Sequence, residues 1–203
     1  MAGSSFGKSF VVTTFGESHG VALGAIVDGV PAGIELSEDD IQKFLDRRKP
    51  GQSSVTTSRN ENDKCRIYSG VFGGKTTGTP IMVMLENQSQ RSQDYDELAI
   101  TYRPGHADFS FDSKFGFRDY RGGGRSSGRE TIGRVIGGAI AIKALEMLGI
   151  KVQAFTQSIG NVYAENFNLE ECSENDVYMP DNEAADKAVE LIKRAKEEKD
   201  SLG

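Results

Sequence analysis

The sequence predicts an α+β fold. Short runs rich in β-branched and aromatic residues recur through the first 160 positions, three longer segments carry helical spacing, and glycine or proline marks most of the boundaries.

The first run, SFVVTTF (residues 9–15), reads as a strand. GESHG follows as a glycine-bounded turn, and VALGAIVDGV (21–30) reads as a second strand that Pro31 stops. LSEDDIQKFLDRR (36–48) reads as a helix. Ser37 is its N-cap, acidic residues fill the first turn, and Ile41, Phe44 and Leu45 share an apolar face. Arg47 and Arg48 stand where positive charge suits the helix dipole, and Pro50-Gly51 ends the element.

The polar stretch 52–64 reads as a long loop. CRIYSGVF (65–72) and TPIMVMLEN (79–87) read as strands joined by the turn-rich GGKTTG. Residues 88–118 are polar with scattered aromatics, and a connection of that length is expected to be functional or disordered.

A third helix is expected from about residue 128 to 148, stopped by Gly149, with Ser127 and Glu130 forming a capping box. Gly133, Gly137 and Gly138 within it each cost about 1 kcal/mol relative to alanine, so close packing against a crowded core is expected there. KVQAFTQSIG (151–160) reads as another strand. Residues 180–200 read as a charged amphipathic helix with Ala184, Ala188, Leu191, Ile192 and Ala195 on one side.

The chain has 203 residues, enough for a single domain over 1–203, and 37% are hydrophobic, sufficient for a core. It holds no run of uncharged apolar residues long enough to span a bilayer, and MAGSSFGKSF lacks the apolar region of a signal peptide. Cys65 and Cys172 lie far apart and match no metal spacing. A soluble cytoplasmic protein with reduced thiols and no membrane partner is therefore expected.

The formal charge is −6, yet residues 163–203 carry 12 acidic and 5 basic residues, so the acidity belongs to that segment. The balanced remainder lacks the broad basic surface that nucleic-acid binding needs.

Chemistry concentrates in RGGGRSSGRET (121–131). A helix start exposes unpaired N–H groups and the positive end of the dipole, glycines let backbone approach a ligand, and Arg125 and Arg129 can fork onto phosphate oxygens. The combination points to an anion site, most naturally for phosphate, against the plainer reading of a surface loop with an ordinary cap. It is neither a Walker A loop nor a dinucleotide fingerprint. The two histidines, His19 in GESHG and His106 in RPGHAD, each sit in a glycine-flanked loop beside an acidic residue, Glu17 or Asp108, and are candidates for proton transfer. Arg103, ahead of Pro104, is a further candidate anion ligand. Ser18 and Ser127 lack the surroundings of a hydrolase nucleophile.

These residues carry a resemblance. FGESHGVALGAIVDGVPAG, RPGHADF and DYRGGGRSSGRETIGRVIGGAIA resemble the three hallmark segments of the chorismate synthases, and LDRRKPGQS, TTGTPI and NQSQRSQDYD fit the same family. The resemblance runs from Phe6 to the end of the chain. It implies a β-α-β sandwich, incomplete at its C-terminal side because family chains continue well past the point matching Gly203. It also implies a homotetramer in the full-length form.

The implied activity is a lyase step of the shikimate pathway toward aromatic amino acids: 1,4-anti elimination of phosphate from 5-enolpyruvylshikimate 3-phosphate to give chorismate. That step uses reduced FMN, and some members reduce the flavin with NADPH. By position, His19 resembles the proton donor to the departing phosphate and His106 the one that protonates the reduced flavin. Arg48, Arg103 and Arg129 resemble the substrate clamps. Arg125, Ser126 and Ser127 fall on the flavin-binding stretch, with Ser127 also near substrate. Many members carry a further arginine where this chain has Ser54, with Arg59 as the nearby replacement. The alternatives are a catalytically incompetent anion- or flavin-binding fragment of that enzyme and an arginine-glycine RNA binder.

Overall fold

The computed structural model describes residues 3–49, 63–87 and 98–202. They fall into two compact units, residues 3–49, 63–87 and 98–151 in the first and 152–202 in the second. The polar stretch 52–62, with Ser54 and Arg59, and residues 88–97 lie outside the described residues.

The first unit is built on an antiparallel five-stranded sheet in the order β1-β2-β3-β7-β4. Its strands are β1 (Ser5–Phe6), β2 (Val11–Gly16), β3 (Ala22–Asp28), β4 (Cys65–Ile67) and β7 (Ile81–Glu86). Register follows the apolar alternation. Val12 faces Val27, Thr14 faces Ala25, Leu23 faces Leu85, Ala25 faces Val83, and Cys65 faces Leu85. These side chains share one face because strand side chains alternate, and Val12, Leu23, Ala25, Val27, Ile81, Val83 and Leu85 are all buried.

Helix α1 (Glu38–Arg48) and helix α3 (Thr131–Glu146) cover that face, α3 on β2 and β3 and α1 on β4 and α3. Helix α1 opens as expected. The Ser37 hydroxyl accepts from the Asp40 N–H at 3.3 Å, and the Asp40 carboxylate accepts from the Ser37 N–H at 2.9 Å. Ile41 and Leu45 are buried, and Phe44 packs beside them.

The expected strand 65–72 is divided. Its first part is β4; β5 (Val71–Phe72) instead forms a hairpin with β6 (Lys75–Thr76). Gly73 and Gly74 both take positive φ, which suits the tight turn between them. The break comes at Ser69-Gly70. The Ser69 hydroxyl donates to Pro80 O at 2.8 Å and accepts from the Met82 N–H at 3.0 Å, replacing ladder bonds. Gly70 has φ +79°, and a Cβ there would lie 2.6 Å from Ile81 Cγ1.

Helix α2 (Asp108–Phe115) falls in the stretch read as loop. It has no apolar stripe, and charge pairs rather than periodicity hold it. In the second unit, α4 (Asn182–Glu197) starts on Asp181, whose side chain accepts from the Ala184 N–H at 3.0 Å. Ala184, Ala185 and Ala188 pack with Met179 and Val177. The strand expected over 151–160 shortens to β8 (Ser158–Ile159), paired with β9 (Val162–Tyr163). Upstream of β8 no ladder forms, and the Thr156 N–H goes to Tyr178 O.

Two of the three α3 glycines meet the sheet. A Cβ on Gly133 would lie 2.5 Å from Thr14 Cγ2, and one on Gly137 would lie 2.7 Å from Val12 Cγ2. Gly138 differs from the expectation, because it points to open space with nothing within 4 Å. Gly138→Ala is therefore expected to stabilise the protein by up to about 1 kcal/mol through helix propensity. Gly133→Ala is expected to destabilise it by about 1–3 kcal/mol through overpacking. Chemical unfolding of the two variants beside the wild type reads both signs.

Candidate functional site

The turn after β2 places His19. The Gly20 N–H donates to Glu17 O at 3.1 Å, and Asn87, just past β7, donates through Nδ2 to Glu17 O at 3.1 Å and Gly20 O at 2.7 Å. Ser18 is buried in this turn. Its hydroxyl lies 3.0 Å from His19 Nδ1, and its N–H donates to Gly124 O at 3.3 Å. The histidine turn thus sits directly on the arginine-glycine loop.

That loop is a run of 3₁₀ turn over Arg121–Ser126, with a second turn over Gly128–Glu130 before α3 begins. Gly123 takes φ +85°, and a Cβ there would lie 3.5 Å from Ser126 Oγ, 3.6 Å from Arg103 Nη2 and 3.8 Å from His106 Cδ2. The bare backbone at 123 is therefore ringed by a serine, an arginine and the second histidine. The Ser126 hydroxyl closes the turn by donating to Gly123 O at 2.7 Å. At the start of the loop, Arg121 hydrogen-bonds Asp119 at 2.9 Å and lowers its carboxyl below the usual range, an effect that burial opposes and the charge of nearby His19 reinforces.

The capping box expected at Ser127 does not close. The Ser127 hydroxyl accepts from the Arg129 N–H at 3.3 Å, but the Glu130 carboxylate goes elsewhere. It accepts from Thr14 Oγ1 at 2.6 Å and from Arg125 and Arg134 at 3.2 Å each. Stronger charged partners outcompete the backbone N–H of the cap. Arg125 also donates to Gly16 O at 3.1 Å and to Thr14 Oγ1 at 2.7 Å, so its guanidinium ties the loop to β2.

Arg48 and Arg129 meet at one carboxylate. Arg48 Nη2 donates to Asp63 Oδ2 at 2.6 Å, and Arg129 Nη2 donates to Asp63 Oδ1. Arg129 Nη1 adds Ser18 O at 3.1 Å and Asn87 Oδ1. The Asp63 side chain is 1% exposed and each arginine 14%.

A second charge network folds residues 98–118. Arg103 donates to Asp108 through its backbone N–H at 3.0 Å, and through Nε and Nη2 at 2.9 Å. Arg118 donates to Asp112 at 2.8 Å and to the carbonyls of Leu98 and Thr101, and stacks on Tyr102. His106 is exposed at the tip of this segment, its Nδ1 3.5 Å from Pro104 O. Asp108, expected beside His106, gives its carboxylate to Arg103 instead.

All eight predicted site residues thus lie on loops or helix ends of the first unit. The structure adds partners that the sequence reading missed: Asp63, Asn87, Thr14 and Glu130. Asp63 stands in a polar stretch and Asn87 closes an apolar strand run, with nothing local to mark either as part of a site. Among the described residues no three His, Cys, Asp or Glu side chains are placed to hold a metal ion, and no helix is long and apolar enough to cross a membrane.

Fold and site define an antiparallel α+β protein whose arginines, histidines and glycine backbone converge on one loop. A family model described as chorismate synthase matches residues 10–203. The chorismate synthase of Agathobacter rectalis is 63% identical over 95% of this chain and 53% of its own. That of Lachnospira eligens is 57% identical over 100% and 56%. A solved crystal structure of chorismate synthase superposes with a TM-score of 0.73 at 32% identity, over 95% of this chain and 54% of that one. The chain belongs to the chorismate synthase family, and it spans about half the length of the curated relatives it matches.

The Arg103 guanidinium bonded to Asp108 lowers that carboxyl from 3.8 to about 2, against the opposing effect of burial, and Arg118 adds its charge. A depressed folded value means that the stabilisation is complete above the ordinary carboxylate pKa and lost as pH falls through about 2. Between pH 5 and 2 the wild type is expected to lose on the order of 2 kcal/mol more than Asp108→Asn. Denaturant unfolding across that range measures the difference.

Proposed function

We propose that this chain supplies the histidines and most of the arginines of a chorismate synthase, a lyase. The substrate is 5-enolpyruvylshikimate 3-phosphate, which loses phosphate and a ring proton by 1,4-anti elimination to give chorismate. The observation that supports this most is the convergence of the His19 turn and the His106 loop on the arginine-glycine loop, in a chain of this family.

The substrate carries a phosphate and two carboxylates. Arg48, Arg103 and Arg129 bind those groups, with Ser127 beside them, because planar guanidinium forks match such oxygens. His19, steadied by Ser18 and facing the loop, gives a proton to the departing phosphate oxygen.

The residues also fit reduced FMN. The glycine backbone at 123, which a side chain would fill, lies among Arg103, His106 and Ser126 and leaves a cradle of donors for an anionic cofactor. Reduced FMN, when bound, supplies the transient electron that assists loss of phosphate, with no net redox change. Ser126 and Ser127 would hold it where the loop meets the helix start, Arg125 fixes that loop to β2, and His106 would hold a proton at the flavin. NADPH is the reductant where the flavin is reduced in place. The same reading takes residues 1–203 as the N-terminal portion of one longer domain, in a cytoplasmic homotetramer.

The test is anaerobic chorismate formation from the phosphorylated substrate with chemically reduced FMN, followed by product absorbance. His19→Ala and His106→Ala are each expected to lower the rate by about 10² or more. FMN binding without product formation by the wild-type chain would count against the catalytic reading of this chain.

A further inference from the structure

The Asp63 carboxylate is among the most buried charges of the described residues, and the reaction as set out above gives it no task. It accepts from two arginines, one on each oxygen. Its own position is fixed from behind by a reciprocal amide clamp: Gln42 Nε2 donates to Asp63 O at 2.9 Å, and Gln42 Oε1 accepts from the Cys65 N–H at 3.0 Å. Gln42 lies on α1, one turn and a half before Arg48, so helix and carboxylate move as one piece.

The two arginines depend on Asp63 unequally. Arg129 is also held by Ser18 O and Asn87 Oδ1. Among the described residues Asp63 is the one hydrogen-bond partner of Arg48, whose buried Nε has none. A long side chain with a single anchor takes its direction from that anchor. Without the carboxylate between them, two guanidiniums converging on one spot also repel.

We propose that Asp63 is a positioning residue for anion binding: it aims Arg48, and sets the separation of Arg48 and Arg129, so that both guanidiniums meet one ligand. The assignment rests on the substrate role given to these arginines above. A residue that acts through Arg48 is silent once Arg48 is gone, whereas a merely structural ion pair is not.

The test is a double-mutant cycle read by isothermal titration of the chain with 5-enolpyruvylshikimate 3-phosphate, with circular dichroism confirming the fold of each variant. Asp63→Asn is expected to weaken binding at least tenfold. Arg48→Ala/Asp63→Asn is expected to bind no more weakly than Arg48→Ala alone, and Asp63→Glu is expected to recover part of the loss. If Asp63→Asn fails to fold, Asp63→Glu alone carries the cycle, with an intermediate loss that vanishes in the Arg48→Ala background. Additive losses, or unchanged or tighter binding by the aspartate variants, overturn the positioning role and leave the proposed function standing. Absence of binding by the wild-type chain overturns both.

Discussion

Helix α3 lies so close to strand β2 that two positions along it have room for no side chain. Gly133 sits on Thr14 and Gly137 on Val12. The seat fixes more than the core. Thr14 is two residues from the end of β2, and its hydroxyl donates to Glu130 and accepts from Arg125 at the start of the helix. A larger residue at 133 would lift the helix from the strand and stretch these bonds first. The next contact along the chain, the Ser18 N–H to Gly124 O, joins the histidine turn to the arginine-glycine loop and depends on the same approach. Packing at native density transmits such a displacement rather than absorbing it.

On this frame the site is assembled by charge. Arg48 and Arg129 share Asp63, Arg103 holds Asp108, and Arg125 holds Glu130. Partly buried guanidiniums need such partners, since an uncompensated charge away from water is costly. The pairs span the chain. Asp63 is 15 residues from Arg48 and 66 from Arg129, and Thr14 is 116 from Glu130.

Those separations explain what the sequence could reveal. The cap at Ser37, the apolar face of α1, the strands around residues 12, 25 and 83 and the α4 pattern are local features, and each is found where its periodicity or cap places it. The seat of Gly133 and Gly137 was legible as a helix made weaker than it need be. Helix α2 was not, because Arg103 and Arg118 hold it through Asp108 and Asp112 and no apolar stripe announces it. Nor was the fate of Glu130: the spacing of a capping box is present, but Thr14 and Arg125 take the carboxylate. The arginines and histidines stood out by type and setting, whereas Asp63 and Asn87 gain meaning only when β4 and β7 bring them beside α1 and the histidine turn.

The pairing of every candidate arginine with a protein carboxylate has a consequence for binding. Two arginines on one carboxylate leave a single positive charge, so the cluster attracts an anion less strongly than free guanidiniums would. What it gains is geometry, since a guanidinium already held in place loses little rotamer freedom when a ligand arrives. Partial neutralisation also bears on release. In the proposed reaction phosphate and chorismate both depart as anions, and a cluster bearing the full charge of each arginine would bind substrate, product and leaving group alike. Uniform tightening of that kind does not accelerate turnover. A cluster held by Asp63 and carrying one net charge discriminates by the placement of its donors, and placement is what differs between a phosphate attached to the ring and one that has left it.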